Sequence, residues 1–194
     1  IATNNVVSLD NYFTGKKENH IKDVEYIYGD TRDIDLCIKL YSSIKRFDIV
    51  YHLGDFCFKG GVEGGISKPQ YWENQLNGKI IHIKGNHDRN NHLKSHISCA
   101  VLEFAKKRIY AIHNPDQLST TSLRILGVEF IICGHVHEKW KHMIIDEVGY
   151  KKWIIINVGT DRWNFMPAKL EEVVGYYHKV KADLNCKSNS QQPA

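Results

Sequence analysis

Four apolar runs in this chain end in polar residues of one chemical kind. "YHLGD" delivers Asp55 after a glycine, and "HIKGNHD" delivers Asn86, His87 and Asp88. "YAIHNP" delivers His113, and "IICGHVH" delivers His135 and His137. The side chains are carboxylate, amide and imidazole, with no thiolate among them. Such a set suits Mn, Fe, Zn or Ni in a reactive site better than a structural zinc held by cysteines. A carboxylate shared between two such ions, with neutral ligands around it, can hold them about 3.5–4 Å apart, the arrangement of two-metal phosphoester hydrolysis. A fifth run, "VVSLD", ends in Asp10 and is followed by Asn11 and Tyr12. Alone, Asp10 reads equally as a turn residue or as one more ligand.

These motifs can meet only if the strands that carry them end on one side of a sheet, where open α/β sheets bind their ligands. The chain has the pattern for it. "NVVSL", "DIVYHLG", "KIIHIKG" and "EFIICGH" read as strands, and "AVLEFAKKRIYAIHN" as two strands around Lys106-Lys107. "DIDLCIKLYSSIKRF" has apolar residues at helical spacing, "KPQYWENQL" has a proline near a helix start, and "DQLSTTSLRIL" reads as a short helix. "WKHMIIDEVGYKKWIIINVG" is expected to be a hairpin around Val148-Gly149, and a last helix to cover part of "PAKLEEVVGYYHKVKADL". An α/β sandwich with helices outside the sheets follows. No repeat or linker divides it, so one domain is expected over residues 1–185, with 186–194 a polar tail.

Composition narrows the class. Hydrophobic residues are 42% and charged residues 25% of 194, as in ordinary globular domains. No apolar run approaches the length that spans a bilayer, and no basic segment leads into an apolar one. The five cysteines are scattered, with no CxxC pair, which argues against a disulfide framework and fits a cytoplasmic setting. The net charge of +4 is spread out, so no basic track for nucleic acid is indicated.

"GD" at 54–55, "GNHD" at 85–88, His113 and "GHVH" at 134–137 resemble, in order, the motifs of the calcineurin-like metallophosphoesterase superfamily. "YHLGDF" and "NVGTDRWNFMP" resemble its small bacterial and phage members, and the likeness runs from about Asp10 to Pro167. The resemblance implies a four-layer α/β/β/α sandwich with two mixed sheets and a dinuclear site at the strand ends. It implies that Asp55 bridges two metal ions, that Asn86, His113 and His135 complete one site, and that Asp10 and His137 serve the other. His87 would stand over the phosphoryl group as general acid or stabiliser, oriented by Asp88. The expected cofactors are two divalent ions, Mn foremost, with Fe, Zn or Ni as alternatives.

The family's first motif is Asp-x-His, and here Tyr12 occupies the histidine position. A phenol is a poor neutral ligand. Either Tyr12 binds as phenolate to a hard cation, or it packs and leaves Asp10, Asp55, His137 and water to hold a weaker metal. The expected activity is hydrolysis of a phosphoester, a diester ahead of a monoester, through a hydroxide bridging the metals. The expected substrate is a phosphorylated small molecule or nucleotide. The alternatives are a nuclease on DNA or RNA, and a non-enzymatic scaffold with an incomplete first site. The intact "GNHD" counts against the scaffold, where His87 would have little use.

Overall fold

The computed structural model describes residues 6–10, 24–28, 44–56, 69, 73–74, 76–90, 96–147, 150–164 and 166–189. About two-thirds of the helices expected over 33–47 and 68–76 lies outside these residues, as do Tyr12, the glycine-rich loop after Asp55, and Val148-Gly149. Strands β1 (Val6–Asp10) and β2 (Val24–Tyr28) pair in parallel. So do β3 (Ile49–His52) and β4 (Lys79–His82), with His52 opposite His82.

The main sheet has five strands: β5 (Cys99–Phe104), β6 (Lys107–Ile112), β7 (Phe130–Cys133), β8 (His142–Asp146) and β9 (Lys152–Asn157). Their order is β5-β6-β7-β9-β8. The central three run parallel, and each edge strand joins its neighbour antiparallel. The β5–β6 turn is made by Ala105 and Lys106, both left-handed at φ 49° and 60°. Two left-handed central residues are what a two-residue hairpin turn needs to match strand twist.

"FIIC" and "WIII" are unbroken apolar runs because both faces of the central strands are buried. On one face Ile109, Ala111, Phe130, Ile132, Ile154 and Ile156 meet Val173, Val174, Tyr177 and Val180 of a long helix, Leu170–Asn189. Ile83, Tyr51 and Leu53, from the β3–β4 pair and its loops, join that cluster. On the other face Ile112, Ile131, Cys133, Trp153 and Ile155 meet Leu123 of a short helix, Thr120–Ile125. We label the short helix α1 and the long one α2, counting only described residues. The α/β architecture expected from the sequence is the one observed. Helix α2 runs four residues into the stretch read as a polar tail, because Val173, Tyr177, Val180 and Leu184 continue one stripe onto the sheet.

Among the described cysteines, none of Cys99, Cys133 and Cys186 forms a disulfide, and burial pushes the thiol pKa of Cys133 up to about 12. No helix among the described residues is long and apolar enough to cross a membrane.

Trp153 is fully buried, donates from Nε1 to Glu147 Oε2 at 3.0 Å, and has the Lys151 ammonium 3.9 Å from its ring centroid. Trp153→Ala is expected to lower unfolding free energy by about 3–5 kcal/mol. Urea unfolding checks it as a fall in midpoint at constant slope.

Candidate metal centre

Strands β3, β4, β6, β7 and β9 all end on one side, and the loops that follow them carry the polar motifs. Two of these loops are tied to each other by their own carboxylates. Asp88 is buried, and its Oδ2 accepts from the amides of Asp55 and Gly85, both at 2.8 Å. Its Oδ1 accepts from Phe56 N at 3.0 Å. In return, Asp55 Oδ1 accepts from His87 N at 2.8 Å. Each loop therefore donates main-chain N–H groups to a carboxylate of the other.

Gly85 is required by this exchange. A Cβ there would sit 2.1 Å from Asp55 Oδ1 and 2.3 Å from Asp55 N. Gly54 has φ 94° and leads into Asp55, itself left-handed at φ 58°. A left-handed non-glycine residue costs on the order of 1–3 kcal/mol, and such residues concentrate at functional sites. His135 and His137 share the conformation, at φ 65° and 48°.

The third arm is His113, buried at the end of β6. Its Nδ1 lies 2.6 Å from Leu53 O, which fixes the hydrogen on Nδ1 because a carbonyl can only accept. Nε2 then faces the site. Asn86 Oδ1 stands 2.9 Å from it, His135 Nδ1 3.1 Å and Asp55 Oδ2 3.3 Å. Burial, then the neighbouring His113, hold His135 below the usual histidine range, which favours a lone pair on its ring. With the His135 hydrogen on Nε2, three lone-pair donors surround a fourth and repel one another unless a cation lies among them. A proton on His113 would be one such cation, and a metal ion the other. A carboxylate oxygen, an amide oxygen and two imidazole nitrogens, with one imidazole oriented by a carbonyl behind it, fit a transition-metal ion well.

So the structure brings together Asp55, Asn86, His113 and His135. His137 falls in a separate, exposed group with Glu138 and Asp161, whose donor atoms lie within 4.8 Å of one another. The His137 Nδ1 to Asp161 Oδ2 distance is 3.8 Å. Asp10 ends β1, and its side chain lies outside the described residues. His87 is exposed beside the centre. Asp88, expected to orient His87, binds the three amides described above. The segment "NVGTDRWNF", whose motif suggests no ligand, supplies both Asp161 and the buried Asn157.

Beneath the centre, His52 and His82 sit on one rung of β3–β4 with ring centroids 5.7 Å apart. His82 Nε2 lies 2.5 Å from Glu73 Oε1. The Nδ1 atoms of both rings are buried without a hydrogen-bond partner. Burial, and then His82, lower the His52 pKa from 6.5 to about 4. The unfolded chain thus takes up this proton near pH 6.5 and the folded chain only near pH 4. The stabilisation is complete above pH 6.5 and drains away as pH falls toward 4, by up to about 1.4 kcal/mol per unit. Urea midpoints of the protein and of His52→Phe across this range check it, the variant being expected to show the shallower slope.

Gly85→Ala is expected to leave the main sheet intact and to displace Asp55. The check is loss of divalent-metal binding in calorimetry with little change in circular dichroism.

Comparison with known proteins agrees with this geometry. Residues 22–177 match the family model of the calcineurin-like phosphoesterase superfamily domain. The uncharacterized protein MJ1445 of Methanocaldococcus jannaschii is 33% identical over 147 residues, covering 74% of each chain. Among solved structures, the protein of unknown function AQ665 from Aquifex aeolicus shares the fold at TM-score 0.55. It is 20% identical, and the match covers 76% of this chain and 87% of that one. Vps29 from Entamoeba histolytica, solved with zinc, is a looser likeness at TM-score 0.40 and 18% identity, covering 64% of this chain and 63% of that one. The match over most of the length places the chain in the calcineurin-like phosphoesterase superfamily, whose members use divalent metals.

Proposed function

We propose that the protein is a metal-dependent hydrolase of phosphoesters, acting on diesters ahead of monoesters, with a phosphorylated small molecule or nucleotide as substrate. One observation carries this reading: Asp55 Oδ2, Asn86 Oδ1 and His135 Nδ1 converge on His113 Nε2 at 2.9–3.3 Å. Asp55, Asn86, His113 and His135 would hold one divalent ion. Asp10 and His137, with Asp55 shared, would hold a second, and Mn is the ion we expect at both. When bound, such ions offset the charge of a phosphoryl group and acidify water enough for attack near neutral pH.

The chain's own residues do the rest. Leu53 O keeps the His113 hydrogen on Nδ1, so Nε2 faces the site as a lone pair. The His87 amide fixes Asp55 Oδ1 and leaves Oδ2 toward the centre. The exposed His87 would donate a proton to the leaving-group oxygen. Asp88 serves through the backbone, by holding the Gly54–Phe56 turn against Gly85.

Turnover of an aryl phosphodiester with added Mn, measured beside metal content, tests the proposal. His87→Ala is expected to keep its metal and lose about 10²–10⁴-fold in kcat. Asp55→Asn is expected to lose both metal and turnover. Absence of turnover with every divalent ion at full occupancy would overturn the hydrolase reading, and metal loss in His87→Ala would make that residue a ligand.

A further inference from the structure

The loop that carries His135 and His137 leaves the end of β7 and returns as β8. It straddles the end of β9, which lies between those strands in the sheet. Asn157 is the last residue of β9 and is fully buried. Main-chain bonds tie this point to both feet of the loop. Val158 N donates to Cys133 O at 2.9 Å, and Asn157 N to Lys141 O at 3.0 Å.

The Asn157 side chain rises between those feet. Its Nδ2 donates to His137 O at 2.6 Å and to Trp140 O at 2.9 Å, which uses both of its hydrogens. Its Oδ1 accepts from Gly159 N at 2.9 Å, and its main-chain oxygen from Trp163 Nε1 at 2.7 Å. One buried amide thus joins the histidine loop to the segment that supplies Asp161. Few side chains can replace it. A carboxylate has no hydrogen to give and would face two carbonyl oxygens, while leucine would leave both carbonyls unsatisfied.

We propose that Asn157 is a positioning residue for the metal centre. It holds the carbonyl of His137, a residue in the left-handed conformation at φ 48°, and so sets where that imidazole stands beside Asp161. Through this it sets divalent-cation affinity. The effect on the metal rests on the function proposed above, whereas the effect on the loop does not.

The test uses Asn157→Asp and, as a milder change, Trp163→Phe, which keeps a ring but removes the donor to Asn157 O. The first readout is hydrogen exchange in metal-free protein at Val136 and Lys139, whose amides bond to Gly134 O at 2.7 Å and Val136 O at 3.1 Å. We expect exchange there to accelerate at least about tenfold, with the β7 amides unchanged. The second readout is Mn²⁺ titration of the folded protein, where affinity is expected to fall about 10–100-fold, as when a metal ligand loses its supporting hydrogen bond. A merely structural asparagine would lower the melting temperature and leave the folded fraction's Mn²⁺ affinity unchanged. If Asn157→Asp does not fold, Trp163→Phe is expected to move both readouts in the same direction by less. Wild-type exchange and wild-type affinity in whichever variant folds overturn the proposal. If the unmodified protein binds no divalent ion, the function proposed above falls, and loop exchange alone still decides whether Asn157 positions the loop.

Discussion

Two carboxylates that trade main-chain hydrogen bonds hold the centre of this protein together. Asp88 collects the amides of Asp55, Phe56 and Gly85, while Asp55 takes the amide of His87. The loops after β3 and β4 are thereby fixed to one another through main-chain N–H groups. Buried amides left without acceptors would each cost about 1–3 kcal/mol, so the exchange settles a structural need and a positional one together. His113 adds the link to the main sheet, because its Nδ1–H binds Leu53 O one residue before Gly54.

Strain and close approach accompany this arrangement. Asp55, His135 and His137 are half of the six non-glycine residues with positive φ among those described. Their neighbours Gly54, Gly85 and Gly134 are each followed by a site residue and are each crowded from outside. A Cβ on Gly54 would meet His113 Nδ1 at 2.3 Å, and one on Gly134 would meet Leu53 O at 2.9 Å. The glycines make room for the ligands of other strands as much as they turn their own.

Asp55, Asn86, His113 and His135 were legible in the sequence because each follows an apolar run, a pattern that places a polar side chain at a strand end. The strands themselves were legible for the same reason, since "FIIC" and "WIII" can be buried on both faces only inside a sheet. The work of Asp88 and Asn157 was not legible. An acceptor or an amide in sequence does not reveal which distant backbone groups it will meet. Gly85 reads as a turn residue, yet it lacks a positive φ and is needed for the space that Asp55 takes up. His137 reads as a partner of Asp10 and Asp55, and the structure adds Asp161 as its neighbour, from a segment whose motif suggests no ligand.

The strand order has a consequence for the time course of folding. β5–β6 and β8–β9 are hairpins, closed by short turns and free to form early. β6, β7 and β9 run parallel, so each must wait for a crossover that costs more chain entropy. His113 follows β6, His135 follows β7, and Asn157 ends β9, so these three meet only when the last pairings close. A partly folded chain therefore offers scattered imidazoles and no pocket, and an ion that prefers the finished cluster selects native molecules over unfinished ones.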